Sequence, residues 1–348
     1  MKRTENIIIG ISIGDLNGIG PEVVLKTFED SRMLELCTPV IFANVKSLSF
    51  LRKSFESTVN IHGIDNLEQL VPGKLNVLNV WREGFDLAPG KLDETVGKYA
   101  VKSFKAAVAA AQEGKIHALV TAPINKINIQ DEDFKFPGHT DYLNEQFEGN
   151  ALMLMVSDTL RVGLLTDHVP LAEVASKLNE GLIRKKVETL QKSLIQDFSI
   201  RRPRIAVLGL NPHAGDGGVI GVEDKDIIAP AIKKLFDAGT LVFGPYPADG
   251  FFGSGQYKQF DAVLATYHDQ GLAPFKTLSF GGGVNFTAGL NVVRTSPDHG
   301  TAYDIAGKGK ADETSFKEAV YLAIDVVHSR EHYQEMTENP LKTKEKQL

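Results

Sequence analysis

Residues 7–22 read IIIGISIGDLNGIGPE and hold the pattern that decides the fold class. Residues 7–13 are apolar and rich in β-branched side chains, which predicts a buried strand. Pro21 and Glu22 suit the first turn of a helix, because a missing N–H costs nothing there and a carboxylate meets the positive end of the helix dipole. The stretch therefore predicts a strand, a glycine-rich loop and a helix.

The same alternation continues along the chain. Short apolar runs predict strands at 39–43, 75–80, 118–121, 152–156, 162–165, 204–210 and 262–265. Apolar residues at helical spacing predict helices at 94–113, 171–178, 182–198, 226–236 and 315–328. Strands that alternate with helices indicate an α/β fold with a mostly parallel sheet covered on both faces. In such folds ligands bind at the carboxyl ends of strands, where this sequence places its polar clusters.

Composition limits the function classes. The 348 residues are 43% hydrophobic and 24% charged, which predicts a globular protein of about two domains and excludes a coiled coil or a disordered chain. The formal net charge of −6 argues against a nucleic-acid partner. The apolar start is too short for a membrane span and lacks a signal-peptide cleavage pattern, so we expect a cytoplasmic protein without a membrane partner. The single cysteine, Cys37, excludes an intrachain disulfide and a cysteine-based metal site.

Histidines in loop clusters are the strongest chemical signal. Five of the nine histidines follow strand-like runs or lie in turns rich in glycine and proline. Three imidazoles suffice to hold a catalytic divalent metal and leave positions open for substrate or water. The spacing between these histidines is long, so the prediction of a metal site depends on their placement after strands. The five are His139, His168, His213, His268 and His299.

Cationic and amide side chains accompany the histidines. Lys126 follows the predicted strand 118–121, Asn285 follows three glycines, and Arg294 ends the apolar run 290–293. Together with Lys276, these groups could hold a phosphate or a carboxylate. The alternative for each residue alone is an ordinary surface charge. Neighbouring glycines favour a site, since they allow a backbone to approach a ligand closely.

These clusters together resemble the 4-hydroxythreonine-4-phosphate dehydrogenase family of vitamin B6 biosynthesis. The runs RTSPDHGTA at 294–302 and YHDQG at 267–271 carry the resemblance most specifically. One departure lies in the first loop, where Leu16 and Asn17 replace the Pro-Ala of the family pattern. The matching segments that contain these two runs extend over residues 267–272 and 294–309, and the others are residues 14–22, 120–126, 138–140, 168–171, 209–215 and 244–249.

The resemblance implies a fold like isocitrate and isopropylmalate dehydrogenases, with two α/β/α domains flanking a central active-site cleft. We expect residues 1–135 and 295–348 to form the first domain and residues 136–294 the second. The resemblance also implies a homodimer with a shared active site, in which the partner subunit supplies one metal ligand. The implied metal ligands are His168, His213 and His268. The implied substrate-binding residues are His139, Thr140, Lys276, Asn285 and Arg294.

The implied reaction is oxidation of 4-phosphooxy-L-threonine by NAD or NADP to a 3-keto acid, which loses CO2 to give 3-amino-2-oxopropyl phosphate. A divalent metal (zinc, magnesium or cobalt) would assist it. Lys276 is the candidate for proton transfer or phosphate contact, and Asp249 and Asp269 are candidates for orienting the imidazoles. Close relatives oxidise 4-phospho-threonate, 4-phospho-erythronate or a cis-dihydrodiol dicarboxylate instead. A metal-dependent phosphatase or hydrolase and a non-catalytic phosphate-sugar sensor are alternatives from other classes.

Overall fold

The computed structural model describes residues 6–131, 134–279 and 281–339. Their strands are β1 (Ile8–Ser12), β2 (Thr38–Ala43), β3 (Ile61–Ile64), β4 (Leu75–Asn79), β5 (Ala118–Thr121), β6 (Gly149–Val156), β7 (Arg161–Leu164), β8 (Ile205–Leu208), β9 (Val242–Tyr246), β10 (Ala262–Ala265), β11 (Val284–Leu290) and β12 (Arg294–Pro297). Their α-helices are α1 (Gly20–Thr27), α2 (Met33–Leu36), α3 (Val45–Ser54), α4 (Glu94–Gln112), α5 (His139–Gln146), α6 (Val174–Lys177), α7 (Glu180–Gln196), α8 (Ala229–Asp237), α9 (Ala248–Gly253), α10 (His268–Leu278) and α11 (Thr314–Glu338).

All of these strands belong to one sheet, in the order β3-β4-β2-β1-β5-β12-β11-β6-β7-β10-β8-β9. Within the described ranges, eight of its eleven pairings are parallel, and the antiparallel ones are β12–β11, β11–β6 and β6–β7. The predicted α/β fold with a mostly parallel sheet is therefore confirmed. The chain forms β1 to β5 in one half of the sheet, crosses to form β6 to β11, and returns once for β12.

The division into domains remains a prediction. The boundary between residues 294 and 295 would separate the first two residues of β12, which pairs with β5 on one side and with β11 on the other. The return of the chain for β12 is compatible with a first domain built from two separate segments.

Helices cover both faces of the sheet. Adjacent residues of β2 point to opposite faces, as alternation along a strand requires. Ile41 packs in a cluster with Phe316 of α11, whereas Phe42 packs in a different cluster with Phe104 of α4. A sheet buried on both faces explains why its strands read as continuous apolar runs in the sequence.

At residues 290–293 the structure differs most clearly from the prediction, which had an apolar strand-like run ending at Arg294. β11 ends at Leu290 and β12 begins at Arg294, so Arg294 starts a strand and does not end one. β11 and β12 are antiparallel neighbours, and the chain must reverse between them; the exposed Asn291 lies in that reversal. The strands β3, β9, β11 and β12 were not among those that the sequence predicted.

Two predicted helices also differ in form. Residues 171–178 divide into a 3-10 turn, Leu171–Glu173, and the short α6, and α8 begins only at Ala229 after a π-helical turn, Asp224–Ile228. Among the described helices, none combines the length and hydropathy that crossing a bilayer requires.

Candidate active site

A cavity of about 310 Å3 lies where β5 ends and where β11 and β12 run side by side. Its walls come from β5, β6, β11, β12, the start of α5, the loop after β7, α10 and the loop after β12. Side chains that are far apart in the sequence meet here because their strands are neighbours in the sheet. Nine candidate residues of the sequence analysis line the cavity: Lys126, His139, Thr140, His168, His268, Lys276, Asn285, Arg294 and His299.

Arg294 is a buried cation at the centre of the site, with 2% of its surface exposed. Its Nε and Nη2 donate to Oγ1 of Thr121 at 3.2 and 2.6 Å, and its Nη1 donates to Oγ1 of Thr287 at 3.1 Å. These partners are neutral, and no ion pair joins Arg294 to a carboxylate in the described part of the chain. Burial lowers the pKa of the guanidinium. A buried charge of this kind is costly without a counter-charge, so the site favours an anionic ligand.

His139 contacts Arg294 and has a defined tautomer. Its Nδ1 lies 3.2 Å from Nη2 of Arg294. A guanidinium can only donate, so Nδ1 accepts and the proton of the neutral ring is on Nε2. Burial and the charges of Arg294 and Lys126 hold the pKa of His139 well below its usual value. Its Nε2 is buried and has no hydrogen-bond partner within the described ranges, which leaves one N–H donor for a ligand.

Two unpaired acceptors share the cavity. Oδ1 of Asn285 and Nε2 of His299 are buried, and neither has a hydrogen-bond partner among the described residues. Nδ1 of His299 lies 3.1 Å from the carbonyl oxygen of Gly300, which can only accept, so in the neutral ring the proton is on Nδ1 and Nε2 accepts. Buried polar atoms without partners are rare in native proteins. Their concentration in one cavity indicates that a polar ligand completes the site.

Two lysines give the cavity further positive charge. Lys126 and Lys276 both line it, and Nζ of Lys276 donates to the carbonyl oxygen of Asp298 at 3.2 Å. The carboxylates of Asp141 and Asp298 also belong to the lining. Three cations, with Arg294 as the third, suit a phosphate together with a second anionic group.

His168 and His268 form a pair of imidazoles in the same cavity. Their ring centroids are 6.0 Å apart and the rings are tilted by 35°. Burial and the charge of Lys126 lower the pKa of His168, which favours the neutral ring that a metal needs as a ligand. The pair fits part of the donor set of a divalent metal. The described residues contain no cluster of three or more histidine, cysteine or acidic side chains that could hold a metal ion.

His213 does not join this pair, although the sequence groups the three histidines. It is exposed, does not line the cavity, and has a left-handed backbone conformation with a φ of 55°. The left-handed conformation continues through residues 214–217. The strand order puts β8, which precedes His213, beside β10 and two places from β7, so the histidine lies at the correct edge of the sheet but outside the cavity.

The two predicted carboxylates also lie outside the cavity lining. Asp249 is exposed in the first turn of α9. Asp269 is exposed, but its Oδ1 lies 2.7 Å from Nδ1 of His268, which is the contact an orienting carboxylate would make. The position of Asp249 provides no comparable contact.

Several lining residues escaped the sequence analysis. Thr121 is the last residue of β5, and its place at a strand's carboxyl end is the one signal that could have identified it. Ser296 and Asp298 lie within the run RTSPDHGTA, but no role was assigned to them. Met153 and Met155 of β6 read simply as core residues, although they alternate onto the cavity side.

The glycine-rich loop of residues 14–20 is buried beside the cavity and does not line it. A Cβ on Gly14, whose φ is 69°, would lie 2.3 Å from the carbonyl oxygen of Pro123, and one on Gly18 would lie 2.9 Å from that of Thr301. These glycines are required because the loop touches two other loops backbone to backbone.

Most of this chain is similar to proteins of one enzyme family. A sequence model of the family described as pyridoxal phosphate biosynthetic protein PdxA matches residues 35–323. The chain belongs to the PdxA family. It is 49% identical to a 4-hydroxythreonine-4-phosphate dehydrogenase of Bacteroides thetaiotaomicron over 97% of this chain and 93% of the relative. It is 39% identical to a D-threonate 4-phosphate dehydrogenase of Cupriavidus necator over 93% of this chain and 98% of the relative.

A solved structure of a PdxA relative supports the fold. The crystal structure of a 4-hydroxythreonine-4-phosphate dehydrogenase from Burkholderia phymatum matches with a TM-score of 0.76 and 37% identity, over 92% of this chain and 98% of that one. These relatives are dehydrogenases, so the predicted family and the oxidoreductase class are confirmed.

Proposed function

We propose that this PdxA protein oxidises the C3 hydroxyl of 4-phosphooxy-L-threonine with NAD or NADP in pyridoxal 5'-phosphate biosynthesis. The secondary alcohol loses a hydride to the nicotinamide and a proton to a base, which gives a 3-keto acid. The C1 carboxylate of this β-keto acid leaves as CO2, and C2 of the resulting enolate takes up a proton to give 3-amino-2-oxopropyl phosphate. The relative from Bacteroides thetaiotaomicron is named for this substrate.

The observation that carries the proposal is the unpaired charge of Arg294. A phosphate in the cavity would supply the counter-charge that the protein itself does not. Lys126 and the N–H of His139 would add donors, and the one N–H of Arg294 that the bonds to Thr121, Thr287 and His139 leave free, on Nη1, would donate to the phosphate. Thr140, beside His139 in the first turn of α5, would be a further contact.

The imidazole pair supports a metal role. We place a divalent metal (zinc, magnesium or cobalt) on His168 and His268, where it would stabilise negative charge on the substrate oxygen. Asp269 would hold the ring of His268 through its contact with Nδ1. Lys276 remains the candidate for proton transfer or for a second anion contact. Asp249 would need a rearrangement of α9 or a second subunit to take part.

His213 supports the predicted homodimer. Catalytic zinc sites commonly have three protein ligands, and in the single chain His213, the third predicted ligand, is exposed outside the cavity. Three aliphatic residues close to it in sequence, Val219, Ile220 and Val222, are 82%, 40% and 52% exposed. We propose that a two-fold symmetric partner subunit covers these residues and supplies its own His213 to this cavity.

The second candidate substrate is D-threonate 4-phosphate. A relative with 39% identity over most of both chains is named for it. This acid differs from 4-phosphooxy-L-threonine by a hydroxyl in place of the ammonium group, and the phosphate site described above would serve both.

The decisive experiment follows NADH or NADPH absorbance with purified protein and divalent metal. The substrates are 4-phosphooxy-L-threonine, D-threonate 4-phosphate and unphosphorylated 4-hydroxythreonine. We expect turnover of the first, and little or none of the third, because the third lacks the phosphate that Arg294 requires. Phosphate release without nicotinamide would favour a phosphatase, and tight binding without turnover would favour a sensor.

A further inference from the structure

Asp15 is a buried carboxylate beside the cavity, with 1% of its surface exposed. It accepts hydrogen bonds from neutral groups: the backbone N–H of Asn17 reaches Oδ1 at 2.9 Å, and the Asn128 amide and the Tyr303 hydroxyl reach Oδ2 at 2.7 Å each. No ion pair joins Asp15 to a cation within the described ranges. A buried carboxylate that lacked these three donors would be strongly disfavoured.

The two side-chain donors come from loops that line the cavity. Asn128 lies two residues after Lys126, and Tyr303 lies three residues after Gly300. Both donors meet on one oxygen of Asp15, so this oxygen joins the two loops to each other. The backbone reinforces the junction, since the N–H of Ile19 donates to the carbonyl oxygen of Thr301 at 3.0 Å.

The loop of Asn128 is fixed on its other side as well. The Asn128 amide also donates to the carbonyl oxygen of Asp93 at 3.0 Å, next to the start of α4. A Cβ on Gly97 of α4 would lie 1.9 Å from the carbonyl oxygen of Asn128, so helix and loop are in close contact. The loop can therefore shift only if the hydrogen bond to Asp15 is given up or α4 moves.

The Tyr303 hydroxyl is a permanent donor. Burial and the bond to Asp15 raise the pKa of this hydroxyl, so it keeps its proton at every physiological pH. A phenylalanine at this position would keep the ring and remove only the donor. This makes the bond testable with a single-atom change.

We propose that Asp15 is a positioning residue that holds the Lys126 loop and the His299 loop at the separation that phosphate binding requires. This inference builds on the proposed function but concerns the geometry of the anion site alone. Asp15 does not line the cavity. Without its bonds to Asn128 and Tyr303, the two loops lose the side-chain junction between them, and the cations of the cavity converge less well on one anion.

The test compares Tyr303→Phe and Asp15→Asn with Tyr333→Phe, a control on α11 far along the chain from the cavity loops. The affinity for inorganic phosphate is measured by calorimetry, and kcat, KM and Tm are measured in parallel. We expect both network variants to bind phosphate about fivefold or more weakly and to raise KM more than they lower kcat, while the control is unchanged. Unchanged phosphate affinity in folded Tyr303→Phe protein would overturn the proposal.

A double-variant cycle separates positioning from a general loss of stability. In a Lys126→Ala background, Asp15→Asn should lower phosphate affinity by less than about twofold, because the lysine that Asp15 positions is absent. Full additivity of the two changes would also overturn the proposal. If Asp15→Asn does not fold, Tyr303→Phe in the same background gives the same comparison. Phosphate binding needs no turnover, so a wild-type protein that is inactive on every candidate substrate would refute the proposed function and leave this test intact.

Discussion

Oγ1 of Thr121 lies 2.6 Å from Nη2 of Arg294 and accepts a second bond from Nε. A neutral hydroxyl at the end of β5 thus fixes the guanidinium without neutralising it. The positive charge stays available for a ligand, which a carboxylate partner would have prevented.

Arg294→Lys should raise KM for the phosphorylated substrate by roughly tenfold or more, because an ammonium keeps the charge but, with three donors, cannot keep the bonds to Thr121, Thr287 and His139 and also donate to the phosphate. KM for the nicotinamide should change much less. Steady-state kinetics with each substrate varied in turn checks this. Arg161→Lys is the matched control, since Arg161 is a partly buried arginine that stacks on Phe198 outside the cavity. Equal changes in both KM values would indicate that Arg294 only stabilises the fold.

Thr121→Val should weaken phosphate binding while the isosteric side chain keeps the packing. It leaves two buried N–H donors of Arg294 without their acceptor, at a cost of about 1–3 kcal/mol in stability. Thr121→Ser, which keeps the acceptor, should retain most of the affinity. Calorimetry and chemical denaturation on both variants give the comparison, and identical behaviour of the two would count against the role of Oγ1.

Removal of the metal should abolish turnover and leave the protein folded. We expect His268→Ala to lose bound metal, measured by elemental analysis, with a circular dichroism spectrum like that of the wild type. His332→Ala, an exposed histidine on α11, is the control that should keep both metal and activity. Full turnover by protein shown to be free of metal would be inconsistent with the proposed role of the imidazole pair.

Mixing inactive His213→Ala with inactive Lys276→Ala should restore activity if the partner supplies His213. A hybrid dimer then has one cavity with an intact Lys276 and an intact partner histidine. After random exchange about half of the dimers are hybrids, and each hybrid has one working site and one inactive site. Activity should therefore reach about a quarter of the wild-type value. Subunit exchange is first demonstrated by mass. If activity then does not return, all the ligands come from one chain.

Acid should destabilise the protein through His139. Its pKa is lowered by folding, so below pH 6.5 the unfolded chain binds a proton that the folded chain does not. Stability therefore falls as pH falls, by up to about 1.4 kcal/mol from this group between pH 7.5 and pH 5.5. The free energy of unfolding, measured by denaturant titration at each pH, should fall more for the wild type than for His139→Gln over this range, and parallel pH profiles would falsify the assignment.

Most of the sheet could be predicted because strands buried on both faces are mostly apolar. β1, β2 and β5 are of this kind, and they were predicted within one or two residues, as was β4 despite its two asparagines. β9 and β11 escaped because Gly244, Pro245 and Gly289 interrupt their apolar pattern. β12 was hidden because it begins with a charged residue, Arg294, whose burial only the sheet reveals.

The sequence identified those cavity residues that follow a strand or begin a helix, such as His139, His168 and His268. Placement after a strand cannot tell which side chains enter one cavity, and His213 and Asp249 show this limit. The role of the first loop was also not visible. Asn17, a departure from the family pattern, is buried and bonds through its side chain to the backbone of Ala88 and Lys91. From the sequence alone, Asn17 indicates only a change in the stiffness of the loop.

The position of β12 has a consequence for synthesis on the ribosome. β12 is formed last of the twelve strands, yet it lies between β5 and β11 at the middle of the sheet. A nascent chain that has emerged as far as β11 has every other strand but lacks the one that joins the two halves. Such long-range closure is slow and leaves strand edges exposed in the meantime. Since Arg294 is the first residue of β12, the same late event delivers the buried cation, and no shorter nascent chain has an anion site.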